Sequence, residues 1–393
     1  MKIHCALFLA LASALVVADD NCQKDVTVNS QEDLNQVSGC KSYSGSITID
    51  GAPVANLNLA GVQQISGDLT IQNNGGLTSV VLPNLQSVGK LTLFNNTALT
   101  AITMGSLKSL DAFVCQNNPR VNTLTFTRGV PNLETFQIID SSVATLPLLN
   151  FTSITNLELY GNRNLTNITL NNLSQVNGYI SIVNNNREVT VSLPQLSSVG
   201  QNCTFANVQE LSVPSLQKVK SNLNINDNQF KNFTMDKLES VASSVSIINN
   251  ANLEAFSFAA LTEIGGNLLV VNNTEIGALD GFPSLKAVDG SIDVRGTFAN
   301  VSFDDLQDVK GGFNIMSTKG IDCSKLTGDY GSSSVTGGTW NCKDKSSTSD
   351  VTSTDNTEST SAALALRPIG DGRVGALTLG GFTLALFAAQ QLL

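Results

Sequence analysis

The sequence predicts an all-β fold: a solenoid of about 13 stacked coils of roughly 20–24 residues, closed by a disulfide at each end. A recurring phrase carries the prediction. It is clearest as Gly89-Lys90-Leu91-Thr92-Leu93-Phe94-Asn95-Asn96 and returns from Gly67, Gly178 and Gly266. Its apolar-polar-apolar alternation marks a strand with one buried face. Spacing is the second observation. Ile47, Leu69, Leu91, Phe113, Phe136, Leu157, Ile180, Cys203, Leu223, Val245, Leu268, Ile292 and Phe313 recur at that interval, each followed two residues later by a second inward residue. No helical pattern of comparable length intervenes, so each coil is expected to be strand and turn.

Taken in order, the chain opens with Lys2 and an apolar run from Ile3 to Val17, the pattern of a secretory signal peptide over residues 1–18. The run is shorter than the ~20 residues a membrane span needs. Residues 19–44 are expected to form an N-terminal cap and 45–320 the repeats. Each coil has a return half, well seen in Leu77 to Val88 and repeated at Val189–Val199 and Leu211–Val219, with Pro83, Pro194 and Pro214 placed at corners because proline cannot donate to a ladder. The spacing blurs between Arg128 and Asn156, where a kink or small boundary is expected. One coil cannot bury its own inward residues, so neighbours complete the core. Thirteen rungs at ~4.8 Å give a stack of ~60 Å.

Residues 321–345 are expected to form a C-terminal cap. Ser346 to Ser361 is a Ser/Thr/Asp stretch that reads as a solvated stalk. Small residues at Ser361-Ala362-Ala363, a spacer and an apolar tail from Val374 to Leu393 follow, with no basic stop after them. That order is the signal for a GPI lipid, which makes 362–393 a propeptide and Ser361 the attachment residue, with Ser359 and Asn356 as alternatives. A transmembrane helix is the competing reading; Gly375, Gly380 and Gly381 argue against it.

Composition excludes several chemistries. The only histidine, His4, lies in the signal peptide, which removes His-based nucleophilic catalysis and imidazole metal sites from the mature chain. No cofactor motif is present. The formal net charge of -10 and the lack of a basic cluster argue against nucleic acid as a partner. Cys5 leaves with the signal peptide. Cys22 with Cys40, and Cys323 with Cys342, are expected to pair locally in an oxidising compartment, while Cys115 and Cys203 are expected to be buried thiols. Asparagines after the strands (Asn73, Asn95, Asn117, Asn184, Asn207, Asn249 and Asn272) are expected to stack as a buried amide ladder.

N-glycosylation acceptors occur at Asn95, Asn150, Asn164, Asn167, Asn172, Asn202, Asn232, Asn272 and Asn300. Burial in the ladder is expected to keep Asn95 and Asn272 unmodified. Most of the others fall in return segments, which leaves the outward face of the main strands with Asn202 alone. One outward row of that face is apolar, with Phe94, Ile139, Tyr160, Val183, Ile248, Val271 and Met316, and forms a candidate binding stripe for a wall polymer or a protein partner.

The Gly-x-Leu-x-Ile-x-x-Asn strands and Leu-Pro-x-Leu-x-x-Val returns resemble receptor L-domain repeats, which are related to leucine-rich repeats, over about Gly45 to Ser317. With the signals at both ends, the whole chain resembles the fungal GPI-anchored cell-wall organisation proteins. That resemblance implies a right-handed parallel β-helix-like solenoid at the cell surface, needed for wall integrity and morphogenesis, at the outer leaflet or in the wall, and brings no catalytic residues. The rival class is a polysaccharide hydrolase or transglycosylase on a stacked-coil fold. Glycoside hydrolysis needs two carboxyls within ~5–10 Å, whereas Glu158 and Asp293, the acids of the central outward row, are expected ~29 Å apart at six rungs. A third class is a purely structural glycosylated rod.

Overall fold

The computed structural model describes residues 22–345 apart from 127–128, 131–132 and 332–333. The signal peptide (1–18), the stalk (346–361), the GPI propeptide (362–393) and the attachment candidates Ser361, Ser359 and Asn356 lie outside the described residues.

Alternation in the sequence becomes a stack of parallel strands. Each rung of the main sheet is hydrogen-bonded to the next: Ile47–Asp50 pairs with Leu69–Gln72, which pairs with Ser87–Phe94, and the order continues to Phe313–Ser317. The first inward residue of every rung, from Ile47 to Phe313, is fully buried, and so is the second from Ile49 to Ile315, with Val270 at 2 % exposure the least covered. Leu91 therefore packs on Leu69 below and Phe113 above. The core is one continuous column because every inward side chain is covered by its neighbours in sequence, one coil away.

After the main strand each coil turns twice. Asn167–Thr169 pairs with Thr190–Ser192, which pairs with Glu210–Ser212, to form part of a second face. Earlier and later coils extend that face through Asn56–Asn58, Ser79–Leu82, Ala101–Met104 and Thr123–Phe126, and through Asn232–Thr234, Ala255–Ser257, Ala278–Leu279 and Asn300–Val301. A third face is built from two-residue strands running from Ser153–Ile154 to Asp308–Val309. Pro194 occupies the turn between the second and third faces, as a residue without an N–H should. The irregular stretch between Arg128 and Asn156 does not interrupt the main sheet. Phe113, Phe136 and Leu157 remain in consecutive register, and the disorderly spacing is confined to the other two sides, where Ser142–Thr152 has no second-face strand.

The asparagine ladder lies one residue later than the sequence reading places it. Asn74, Asn96, Asn118, Asn162, Asn185, Asn228, Asn250 and Asn273 are the buried column. The Asn74 Nδ2 donates to Asn96 Oδ1 at 3.0 Å, and the Asn96 Nδ2 donates to Asn118 Oδ1 at 3.2 Å. Each amide also donates to a strand carbonyl below, as Asn96 does to Ile71 at 2.9 Å, and accepts from a backbone N–H, as Asn96 does from Asn74 at 3.2 Å. Among the described residues no buried side-chain nitrogen or oxygen is left without a partner. Ser141 and Val208 interrupt the column; the Val208 N–H still donates to Asn228 Oδ1 at 3.0 Å.

The preceding asparagines do a different job. Asn73, Asn95, Asn117, Asn184, Asn207, Asn249 and Asn272 hold left-handed backbone, with φ between 54° and 60°. Asp140, Asp227, Gly51 and Gly161 occupy the same corner in other coils. Glycine, asparagine and aspartate tolerate this region at low cost, which explains the residue types. These side chains point outward, so Asn95 and Asn272 are exposed and burial does not mask their sequons.

Both ends add a rung. Val26–Val28 pairs with Ile47–Asp50 beneath an eight-residue helix, α1 (Gln31–Ser38), whose Ser30 cap accepts from the Asp33 N–H at 3.2 Å and which buries Leu34 and Val37. The cap's side-chain bonding, led by Ser30 Oγ, holds the Asp33 carboxyl below its ordinary range. At the far end Trp340–Lys343 pairs with Phe313–Ser317. Trp340 meets Phe313 edge-on at 5.0 Å, the last contact of an aromatic column that includes Phe256, Phe258, Phe282 and Phe303. Cys22 joins Cys40 and Cys323 joins Cys342, one bond at each end of the stack. Cys115 and Cys203 are free and buried, and burial pushes both thiols up, Cys115 to about 12.

Candidate functional site: the outward face of the main sheet

Parallel pairing turns every outward position into a row that crosses the rungs. The central row reads Thr48, Thr70, Thr92, Val114, Gln137, Glu158, Ser181, Thr204, Asn224, Ser246, Leu269, Asp293 and Asn314, as the alternation predicts. Glu158 and Asp293 are six pairings apart, ~29 Å at the usual strand spacing, so they share no reaction centre.

The neighbouring row holds the candidate stripe. Phe94, Ile139, Val183, Ile248, Val271 and Met316 are partly exposed, and Tyr160 is 38 % exposed, one of the chain's two exposed large hydrophobics among the described residues. The stripe is not continuous. Gln116 stands between Phe94 and Ile139, Asn226 between Ala206 and Ile248, and Arg295 between Val271 and Met316. It is therefore a series of short apolar patches, of which Ile139, Tyr160, Val183 and Ala206 form the longest.

Beside that patch lies a polar cluster that alternation alone did not single out. The Gln137 Nε2 donates to Glu158 Oε2 at 3.0 Å, and the Tyr179 hydroxyl donates to the same oxygen at 3.0 Å. Gln137 Nε2 also reaches Tyr179 Oη at 2.9 Å. Burial, followed by the Glu158 charge and the bond to it, pushes the Tyr179 hydroxyl up to about 12. Of the chain's 4 tyrosines, Tyr43 and Tyr330 are buried; Tyr160 and Tyr179 lie on either side of Glu158 on this face. The signal was present: Tyr179 precedes inward Ile180 by one residue, which places it outward.

Sequons divide the molecule by face. Asn167, Asn232 and Asn300 each open a strand of the second face, three rungs apart or ~14 Å, and all are exposed. Asn150, Asn164 and Asn172 are exposed in the turns flanking that face. Asn95 and Asn272 sit at the corner, where their amides donate to Asn73 and Asn249. Asn202, at the leading edge of the main face, is half-buried; its Oδ1 accepts from Ser221 Oγ at 3.0 Å and Asn222 Nδ2 at 3.0 Å. Among the described residues no group of acidic, histidine or cysteine side chains could hold a metal ion, and no helix is long and apolar enough to cross a membrane.

No family model matches the chain, and no solved structure matches it. Curated proteins do. It is 32% identical over 324 residues to a cell surface GPI-anchored protein of Arthroderma benhamiae, covering 82% of this chain and 83% of the relative. It is 32% identical over 338 residues to protein ecm33 of Aspergillus fumigatus, covering 85% and 84%. Sporulation-specific protein 22 of Saccharomyces cerevisiae is 28% identical over 82% of this chain and 70% of its own length. The first two alignments cover more than four-fifths of each chain, and the chain belongs to the fungal GPI-anchored, ecm33-type family of cell-surface and cell-wall proteins.

Proposed function

We propose that the protein is a non-enzymatic scaffold of cell-wall organisation, whose main-sheet face recognises wall polymer or a wall protein while the second face and its turns carry N-glycans. The observation that supports this most is the segregation of sequons. The widest face, with the stripe from Phe94 to Met316, carries no acceptor within its two outward rows; half-buried Asn202 lies at one edge, and exposed Asn95 and Asn272 at the corner on the other. A glycan is large and hydrated, so a surface kept free of acceptors stays open to a partner. Ser361 is proposed as the lipid attachment residue, with residues 19–44 and 321–345 as the caps.

Two readouts on one preparation test it. Full-length protein released from cells by a phosphatidylinositol-specific phospholipase is incubated with isolated wall, β-glucan, chitin and mannan. Retention without new reducing ends is expected, together with loss of retention when Phe94, Tyr160 and Val183 are replaced by Ser. New reducing ends would make it an enzyme. Retention and stability both untouched by the triple replacement would remove the stripe from the account.

A further inference from the structure

On the last three rungs the main face is hollowed. Position 312, in the outward row that holds Ser291 and Thr339 on neighbouring rungs, is glycine, and a shallow cavity of about 400 Å³ opens there. That volume falls within the range of small-ligand sites, ~300–1,000 Å³. The walls are a connected set of planar polar groups. Arg295 Nε donates to Asp293 Oδ1 at 2.7 Å and its Nη2 meets Oδ2 at 2.7 Å, a two-point pair. Asn314 Nδ2 donates to Asp293 Oδ1 at 2.8 Å, and Asn341 Nδ2 donates to Asn314 Oδ1 at 2.8 Å. Met316 supplies an apolar flank.

We infer that this hollow is a binding subsite for a neutral, hydroxyl-rich saccharide, a short stretch or end of a polysaccharide chain. The inference rests on the reading of the main face as a recognition surface. Three features carry it. The bonds between Asp293, Arg295, Asn314 and Asn341 fix their orientations before a ligand arrives, which lowers the ordering cost of binding. Each carboxamide spends one N–H on the chain of bonds and keeps the other, and its oxygen has two lone pairs, so donors and acceptors alternate along the wall. Vicinal hydroxyls, each both donor and acceptor, match that alternation. Arg295 neutralises Asp293, so the wall offers an anion no unpaired cation at its centre, and the chain's formal net charge of -10 further disfavours acidic polymers.

The only tryptophan, Trp340, alternates with Thr339 and Asn341 and faces inward onto Phe313, so binding at the hollow is read by its heat. The hollow can be plugged: a Cβ added at Gly312 would meet nothing nearer than the Thr339 carbonyl oxygen at 3.4 Å, an ordinary contact, and Gly312→Val is expected to fill the space. Met316→Thr completes a glycosylation sequon that begins at Asn314 and offers a second, chemically different block.

Full-length protein, released as above, is titrated with neutral oligosaccharides (β-glucan, mannan and chitin fragments) and with an oligogalacturonate, following the heat of binding by calorimetry. A saturable change with at least one neutral oligosaccharide is expected, tighter than ~10 mM, weakened at least tenfold in Gly312→Val at unchanged melting temperature and in glycosylated Met316→Thr. No saturable change with any neutral oligosaccharide would overturn the hollow, as would equal binding of the galacturonate or undiminished binding in Gly312→Val. A separate arm tests the broader reading. Asn226→Thr places a sequon at Asn224, on the central row three rungs from Asp293, and retention on isolated wall is measured. Retention lost there while the titration is silent sinks the hollow alone; retention unchanged while the titration saturates sinks the broader reading alone.

Discussion

The main face and the second face are made by the same rungs, yet they carry different things. Both draw their inward residues from one core, in which Leu91 and Leu93 of a main strand and Ile102 and Met104 of a second-face strand are all fully buried. Outside, the second face presents the sequon asparagines Asn167, Asn232 and Asn300, while the main face presents Gln137, Glu158, Tyr160 and Tyr179. The difference teaches that in a stacked coil the interior is a shared constraint and each exterior row is free to take its own chemistry. Changes inside should therefore damage both faces together, and changes outside should separate them.

The largest effect is expected inside the corner where the two faces meet. Asn96→Leu removes an amide that serves the Asn74 amide and N–H, the Ile71 carbonyl and Asn118. Leaving buried groups unpaired costs ~1–3 kcal/mol each, so a loss of at least ~3 kcal/mol is expected in denaturant melts, with wall retention lost alongside. A well-folded Asn96→Leu protein would show that the ladder is dispensable. Next comes the N-terminal closure. Replacing Cys22 and Cys40 by Ser frees a loop of 18 residues' separation, expected to cost ~3 kcal/mol and to raise amide exchange first in Val26–Val28 and its partner rung; exchange unchanged there would deny the disulfide its capping role.

Outer-corner changes should be mild. Asn95→Gly keeps left-handed backbone accessible and should shift stability by less than ~0.5 kcal/mol, whereas Asn95→Ala should cost ~1–2 kcal/mol. Equal costs would contradict the turn role. Both remove the sequon, and neither should alter wall retention.

The last effect appears only at high pH, as an alkaline loss of stability. Tyr179 titrates at about 12 in the fold against 10.0 ordinarily, and Cys115 at about 12 against 9.0. A raised pKa means the folded state holds its proton where the unfolded state has released it. The stabilisation is thus complete below pH ~9 and is lost progressively as pH rises to ~12. Tyr179→Phe, on the main face, and Cys115→Ala, in the shared core, should each flatten part of that decline; a decline unaltered in both would place its origin elsewhere.

Much of this was legible in the residues. Period two named every inward residue of the main strands, because nothing but burial explains an apolar side chain at each of those positions. The same rule misplaced the ladder. Continuing the alternation from Leu91 and Leu93 puts Asn95 inside, but the left-handed backbone at Asn95, φ 54°, breaks the alternation and brings Asn96 inward instead. Adjacent asparagines cannot reveal which one turns. The stripe was visible as a row but not its interruptions at Gln116, Asn226 and Arg295, since those depend on which rungs face one another. Tyr179 was legible as an outward residue, but its bonds to Glu158 and Gln137 span three coils and two rows, and the Asp293–Arg295–Asn314 hollow depends on an absent side chain at Gly312; neither grouping has a signature along the chain.

One measurement bears most directly on the division of the two faces. Wild-type protein, Asn226→Thr glycosylated at Asn224, and a variant with Asn167, Asn232 and Asn300 all changed to Gln are compared for retention on isolated cell wall at equal folded concentration. A glycan on the main face is expected to reduce retention at least tenfold, while stripping the second face leaves it unchanged. Retention that survives the glycan at Asn224, or that falls with the loss of the three second-face acceptors, would contradict the assignment of recognition to the main face.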